Sequence, residues 1–393
     1  MTRILYLSHM DIRGRRAHVH NVLKTCEALQ KAGNAVTLVS ADVSPNQEDL
    51  LSIFARHAIT TAFPLIFLAT VPIEKINDPA RLTRWWALMR TQASLFRYAF
   101  ANRSAFDVLY YRYHPFYPVA WLVRHVLGKK VLFECHYVYI ANRKQQWLTE
   151  RSVFGADRVV AITQALCDHY KLPADRCLSA PCHAAEGELV PRETSGALRA
   201  ELGLPLDKKI LCYSGSIGAT IQGISYEVET MVTVLKNLPP SYVSLVIGGR
   251  GDKAEQELRS LARASGVEDR LMIRPWCDRA MLMKYLSASD VLLMPRVGTA
   301  PGSSPSKMFD YLAVGKPIVA AQTPPVMEIL HDNENSLLVD ADKKEEWTAA
   351  IERIQSDPAL ASHLIQGARE TAKKYTWTER GIKIEAFIRH GGS

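Results

Sequence analysis

Lys307 and Asp310 are the two side chains whose types and spacing best suit work on a nucleotide. They lie three residues apart in Ser304-Pro-Ser-Lys-Met-Phe-Asp-Tyr-Leu-Ala, so on a helix they share a face. An ammonium in the first turn can meet a phosphate at the helix N-terminus, where free amides and the dipole already favour an anion. A carboxylate one turn on could accept both hydroxyl protons of a ribose. The same pair could equally be an exposed helix ion pair, which is common and weak.

The elements that must hold this pair can be read from Ser289 to Ala321. The apolar run Val291-Leu-Leu-Met294 fits a buried parallel strand, and Pro295 ends it. A loop with Gly298, Gly302, Ser303 and Ser304 follows. Ser304 suits a helix N-cap with Pro305 in the first helical position. Gly315 suits a left-handed C-cap, Pro317 bars continuation, and Ile318-Val-Ala-Ala321 is the next strand. The spacing therefore predicts a strand–loop–helix–strand unit with small residues where a phosphate would sit.

The bulk numbers bound the rest. The 393 residues suggest two or three domains, and 48% hydrophobic with 22% charged residues is ordinary for a globular protein. No disulfide or metal staple is needed for a core of this size. A net charge of +8 favours anionic partners: nucleotide phosphates, an acidic lipid surface or nucleic acid. Only the charge speaks for nucleic acid. Seven scattered cysteines without a Cys-x-x-Cys fit a reduced, cytoplasmic compartment. Cys182-His183 and Cys135 with His136 read as buried thiols and ordinary histidines, so no metal site is expected. Met1-Thr-Arg3 leads straight into a strand without signal-peptide character. The apolar stretch Leu51 to Val71 contains Arg56, His57 and Pro64 and is a poor membrane span.

Taken in order, the chain alternates strands and helices. Arg3 to Ser8 is a strand. The basic loop Asp11-Ile-Arg-Gly14-Arg-Arg16 follows, then a helix from about Ala17 to Ala32 and a strand from Val36 to Ser40. Gly14 with its arginines could receive an anion or be a plain surface turn, and the G-x-G-x-x-G fingerprint is absent. Residues 81–103 read as a helix with Leu82, Trp85, Trp86, Met89, Ala93, Phe96 and Phe100 on one broad face and arginines around it. That face fits either an interfacial membrane helix or a helix packed on the sheet with snorkelling arginines. Asp107–Arg112, Val131–Cys135 and Ala156–Ile162 are further strands. His136 stands just past a strand's carboxyl end, where doubly wound sheets bind ligands, although a lone histidine is often structural. Leu172 to Glu201 is rich in Pro and Gly and marks a linker. The pattern then restarts with Lys209–Ser214, Ser244–Gly248 and Arg270–Ile273. Two doubly wound α/β halves joined by a linker put a cleft between them.

Several runs together resemble a known family. Leu245-Val-Ile-Gly-Gly-Arg-Gly-Asp252, Gly266-Val-Glu-Asp-Arg-Leu271 and Trp276…Met294-Pro295 are similar to the donor domain of group 1 glycosyltransferases, of the family 4 type. Ser304-Pro-Ser-Lys-Met-Phe-Asp-Tyr-Leu-Ala looks like that family's Ser-Pro-x-Lys-x-x-Glu-Tyr variant. Gly155-Ala-Asp-Arg-Val-Val-Ala-Ile-Thr163 and Phe133-Glu-Cys-His136 resemble its N-terminal domain. The resemblance covers nearly the whole chain. It implies the α/β GT-B fold, with two Rossmann-like domains facing across a cleft. Residues 1–183, with a crossover helix in 376–393, would bind the acceptor, and residues 184–375 the nucleotide sugar. It implies a retaining hexosyltransferase without metal or cofactor, the nucleotide sugar being a substrate. The acceptor would be a lipid-linked glycan or a polysaccharide; the net charge and residues 81–103 add the expectation of a cytoplasmic enzyme with peripheral contact to an anionic inner membrane face.

The resemblance also assigns residues. Asp310 matches a ribose-binding Glu, and His136 a histidine near the transferred sugar. Trp276 lies in the segment that lines the base. Gly14 and the 302–304 loop would flank the pyrophosphate. Departures stand beside these matches. The first Glu of the family's pair falls at Gly302. The Arg and Lys that usually clamp the diphosphate are replaced by Ser216 and Gln222, after Gly215. Pro324-Pro325 replaces a Gly-Gly ahead of Glu328. The expectation is that Lys307, with Arg250 or Arg296, supplies the lost charge, and that His136, Lys307 and Asp310 form the catalytic set. A non-catalytic relative that binds a nucleotide sugar or a partner stands as the second reading. A nucleotide-sugar epimerase of similar architecture fits the motifs poorly.

Overall fold

The computed structural model describes residues 1–8, 12–13, 17–42, 49–69, 81–138, 143–181, 193–218, 225–295, 302 and 304–390. Of these, residues 17, 41–42, 69, 81–85 and 390 are described by backbone alone. The chain forms two compact units, Met1–Cys182 with Trp377–Ser393, and His183–Thr376.

The first unit is built on a parallel sheet in the order β3-β2-β1-β4-β5-β6-β7. Its strands are β1 (Arg3–Ser8), β2 (Ala35–Asp42), β3 (Leu65–Ala69), β4 (Val108–Tyr111), β5 (Lys130–Cys135), β6 (Arg158–Ala161) and β7 (Cys177–Ser179). Its helices are α1 (Ala17–Lys31), α2 (Leu50–Arg56), α3 (Arg81–Ala101), α4 (Tyr117–His125), α5 (Arg143–Gly155) and α6 (Gln164–His169). The strands read as apolar runs because both faces are covered. In β5, Val131, Phe133 and Cys135 enter one buried cluster and Leu132 the other. Strand alternation therefore sends Glu134 and His136 to the Leu132 side, toward α1 and the C-terminal helix.

The second unit has a parallel sheet ordered β10-β9-β8-β11-β12-β13. Its strands are β8 (Lys209–Ser214), β9 (Tyr242–Gly249), β10 (Leu271–Pro275), β11 (Val291–Met294), β12 (Ile318–Ala321) and β13 (Leu337–Val339). Its helices are α7 (Ser195–Leu202), α8 (Tyr226–Asn237), α9 (Lys253–Ala264), α10 (Arg279–Ala288), α11 (Ser306–Val314), α12 (Pro324–Met327), α13 (Lys344–Ser356) and α14 (Pro358–Lys374). The last helix, α15 (Trp377–His390), returns to the first unit. There Gly381 lies so close to α1 that an added Cβ would stand 2.3 Å from the Ala28 carbonyl oxygen.

Both sheets reverse strand order once, at β1/β4 and at β8/β11. Loops leaving the carboxyl ends on either side of such a point diverge and open a crevice. This is the feature of the fold that positions the candidate sites.

Four expectations need correction. Leu172–Glu201 is not linker throughout. It holds β7, which pairs with β6, and most of α7, which Thr194 caps by accepting from the Ala197 amide. Pro173 stands between α6 and β7, Gly196 lies inside α7, and Gly187 and Pro191 lie outside the described residues. Second, the structure joins Cys167 to Cys177 in a disulfide. A chain reversal after α6 sets their Cα atoms 5.9 Å apart, which a spacing of ten residues does not announce.

The other two concern helix geometry. α11 starts one residue later than Ser304 suggests: Pro305 is the N-cap, and it makes no side-chain cap hydrogen bond. In α3, the most buried face is Ala87, Thr91, Leu95 and Ala99, and of the aromatic stripe Phe96 packs against the same core. Trp86, Met89 and Phe100 of that stripe are exposed. Small side chains let α3 lie close on its neighbours, and Gln92 fixes it by accepting from the Val119 amide of α4.

Candidate active site

The second unit gathers its candidate groups at the β8/β11 reversal. β8 ends at Ser214 and runs into Gly215 and Ser216, while β11 leads toward α11. Tyr311 of α11 joins the two strand ends. Its hydroxyl accepts from the Ser214 amide at 3.0 Å and lies 3.4 Å from the Leu293 carbonyl oxygen. This fixes the rotation of α11, so that Lys307, one turn earlier on the helix, reaches back over β8. Its Nζ stands 3.9 Å from the centre of the Tyr213 ring. A Cβ on Gly215 would lie 2.7 Å from that same Nζ. Only glycine leaves the ammonium its place.

The Gly215 loop is held from its other side as well. Gly248, at φ +138°, lies so near that an added Cβ would stand 2.0 Å from the Gly215 carbonyl oxygen. Ser216 donates to the Gly218 carbonyl at 3.0 Å, and the Tyr213 and Ser225 hydroxyls donate to the Ser216 carbonyl. The result is a braced loop beside a cation and the N-terminus of α11, where Pro305 offers no side-chain cap and the helix dipole favours an anion.

Asp310 faces elsewhere. It is buried, and its Oδ1 lies 2.5 Å from Nη2 of Arg279, the first residue of α10. The structure thus replaces the ion pair within one helix by a pair between two helices. Arg250 is exposed past the end of β9. Trp276 is half exposed past β10, its amide donating to the Gly249 carbonyl at 3.0 Å. Trp276, Arg250 and Gly215 therefore stand in a row along the carboxyl edge of β10, β9 and β8. Gly302 and Ser304 precede α11 and are half-buried. Gly14, Gln222, Ser303 and Arg296 lie outside the described residues.

The first unit has its own polar centre past the ends of β4 and β5. His136 is buried, with Nε2 2.6 Å from Glu134 Oε1 and Nδ1 3.4 Å from Arg112 Nη2. A guanidinium only donates, so Nδ1 is the acceptor and Nε2 carries the proton toward Glu134. Burial, and then the Arg112 charge, push His136 down to about 4, so the ring is neutral near pH 7. Glu134 opposes its own burial with strong partners. Arg380 of α15, its own neighbour His136 and Arg112 hold the carboxyl well below the usual range. The Tyr110 hydroxyl also donates to Glu134, at 2.5 Å. Arg380 in turn donates to Thr25 of α1 and to the Ala180 carbonyl. Both nitrogens of His136 are thus engaged within the protein, and Arg112 is the half-buried charge at the β1/β4 reversal.

Sequence reasoning missed Arg112, Glu134, Arg279 and Arg380. Arg112 carried a readable signal, since it follows a strand end as His136 does. Arg279 and Arg380 carried none, because their partners are distant in sequence.

Residues 195–371 match the family model "Glycosyl transferases group 1". A D-inositol 3-phosphate glycosyltransferase of Xylanimonas cellulosilytica is 29% identical over 47% of this chain and 42% of its own length. The same-named protein of Saccharomonospora viridis is 24% identical over 86% of this chain and 80% of its own. Among solved structures, Anabaena Alr3699/HepE in complex with UDP-glucose superposes with a TM-score of 0.73 at 14% identity, covering 99% of both chains. That likeness speaks for the fold, which is GT-B. The matched segment carries Gly215, Lys307 and Asp310, and the relatives are named as glycosyltransferases.

Proposed function

We propose that this chain is a group 1 glycosyltransferase that moves a hexose from a nucleotide sugar to a glycan or lipid-linked glycan, with retention of anomeric configuration. The observation that carries the reading is Lys307 at the N-terminus of α11, against Gly215 at the strand-order reversal. Departure of a nucleoside diphosphate builds negative charge on its phosphates. A fixed ammonium, free amides and a helix dipole stabilise that charge without having to reorganise. In this reading Lys307, with Arg250 beside it, does what a basic pair does in relatives, since Ser216 brings no charge. Asp310, oriented by Arg279, is the ribose acceptor. Trp276 and Arg250 border the base and the phosphates.

Calorimetric titration of the full chain with UDP-, GDP- and ADP-sugars tests donor binding. Turnover of the bound donor, with and without glycan acceptors, tests transfer, and proton NMR of the product reads the anomer. Binding of none of these donors overturns the reading.

A second reading has a specific observation behind it. Gly302 stands where relatives carry an acid, and both ring nitrogens of His136 are engaged internally. A non-catalytic nucleotide-sugar binder accounts for both. Donor binding without hydrolysis or transfer would decide for it.

A further inference from the structure

The net charge of this chain is concentrated in one segment. Between residues 79 and 133 there are nine Lys and Arg against Asp107 alone, so 9 − 1 = +8, equal to the +8 of the whole chain. The remaining residues balance to zero. Asp107 is itself engaged by Arg3 at 2.5 Å. This segment forms α3, β4, α4 and the start of β5, and one of its nine cations, Arg112, stands against His136.

The exposed side of α3 combines that charge with aromatic surface. Trp86 is 71% exposed, Met89 54% and Phe100 47%, with Arg90 and Arg97 exposed beside them. At 100° per residue these five fall within an arc of about 100°. Arg103 lies over the Phe100 ring at 4.9 Å. The neighbouring α4 adds exposed Trp121 and Val126, and Lys130 is exposed just beyond it. Arg124 and Lys129 are turned to local partners, Asp157 and the Phe106 ring. No described acidic side chain pairs with Arg90 or Arg97.

We propose that the exposed faces of α3 and α4 form a docking surface for an anionic lipid bilayer. Tryptophan, phenylalanine and methionine insert at the level of the headgroups, while arginines at their flank meet the lipid phosphates. The charge is complementary to an anionic leaflet and spread along the helix instead of pooled into a pocket. No helix among the described residues is long and apolar enough to cross a membrane, so contact is in the plane. This deepens the lipid-linked reading of the acceptor. It is measured without donor or acceptor, so either proposal can fail while the other stands.

The experiment is sedimentation of the full chain with phosphatidylcholine vesicles, with and without phosphatidylglycerol, at low and high salt. The chain should pellet with the anionic vesicles and be released by salt. Arg90→Ser/Arg97→Ser/Arg103→Ser should weaken anionic binding about a hundredfold, near fivefold for each charge. Trp86→Ser/Trp121→Ser should weaken it while leaving the salt dependence in place. Unchanged thermal unfolding midpoints in both variants show that they fold. Three outcomes overturn the proposal: no binding, equal binding to neutral vesicles, or indifference to the arginine substitutions. So does a concentration-dependent dimer that the tryptophan variant abolishes, which would assign the surface to a second copy of the chain.

Discussion

Asp310 Oδ1 lies 2.5 Å from Arg279 Nη2, which ties the middle of α11 to the first residue of α10. The carboxylate is buried and the guanidinium is 27% exposed. Removing Arg279 takes a charged hydrogen bond away from a buried carboxylate, whereas removing Asp310 leaves a cation that can reach water. Arg279→Ala should therefore cost on the order of 3 kcal/mol of stability, and Asp310→Ala less. The double variant should cost less than the sum of the two. Urea unfolding of the four proteins checks this, and additive losses would show the pair to be energetically idle.

Lys307 separates function from stability. It is half-buried and stacked on Tyr213, a contact that contributes about 1 kcal/mol. Lys307→Ala should leave the melting temperature nearly unchanged but slow donor turnover by a hundredfold or more, about 3 kcal/mol of barrier. Steady-state kinetics with the best-bound donor reads the effect. Unchanged turnover would remove Lys307 from the catalytic set.

Two glycines near the same site should respond differently. Gly248→Ala drives a Cβ into the Gly215 carbonyl, so the braced loop must move. Donor affinity should fall together with stability, the latter by more than about 2 kcal/mol. Gly251, at φ +66°, has open space around its missing Cβ. Gly251→Ala should cost only the left-handed backbone term, about 1 kcal/mol, and leave donor binding intact. Calorimetry and thermal unfolding on both variants make the comparison.

His114 and His136 give the fold a pH dependence. Burial lowers each from 6.5 to about 4. Between those values the unfolded chain binds more protons than the folded one. Stability is then complete above pH 6.5 and falls as the pH drops toward 4, by up to about 3 kcal/mol for each ring. Urea midpoints across that range should show the loss, and His114→Asn should remove about half of it. A flat profile would mean that the rings protonate in place.

The Cys167–Cys177 bond makes a chemical forecast. Without reductant, five of the seven cysteines should alkylate in the unfolded chain, and all seven after reduction. Reduction should lower stability by about 3 kcal/mol, the usual scale for closing a short loop. Peptide mass spectrometry identifies the protected pair, and seven free thiols before reduction would dismiss it.

The linear sequence determined what depends on neighbours in the chain. Apolar runs four to six residues long gave the buried strands, with Val291–Met294 and Ile318–Ala321 found to the residue. Gly315 ended α11 at φ +64° because only a glycine takes that cap without penalty. The α/β class, and Lys307 near a helix N-terminus, followed from the same local rules. Tertiary structure decided whatever depends on which surfaces meet. Asp310 turned from Lys307 to Arg279, which lies 31 residues away. Glu134 acquired Arg380 from the far end of the chain. Trp86, Met89 and Phe100 of the aromatic stripe of α3 faced outward, because hydrophobic periodicity locates a face but cannot say how much of it finds a partner. Side-chain pairing energies of this kind are set by distance and burial, and neither is written in the spacing of residues along the chain.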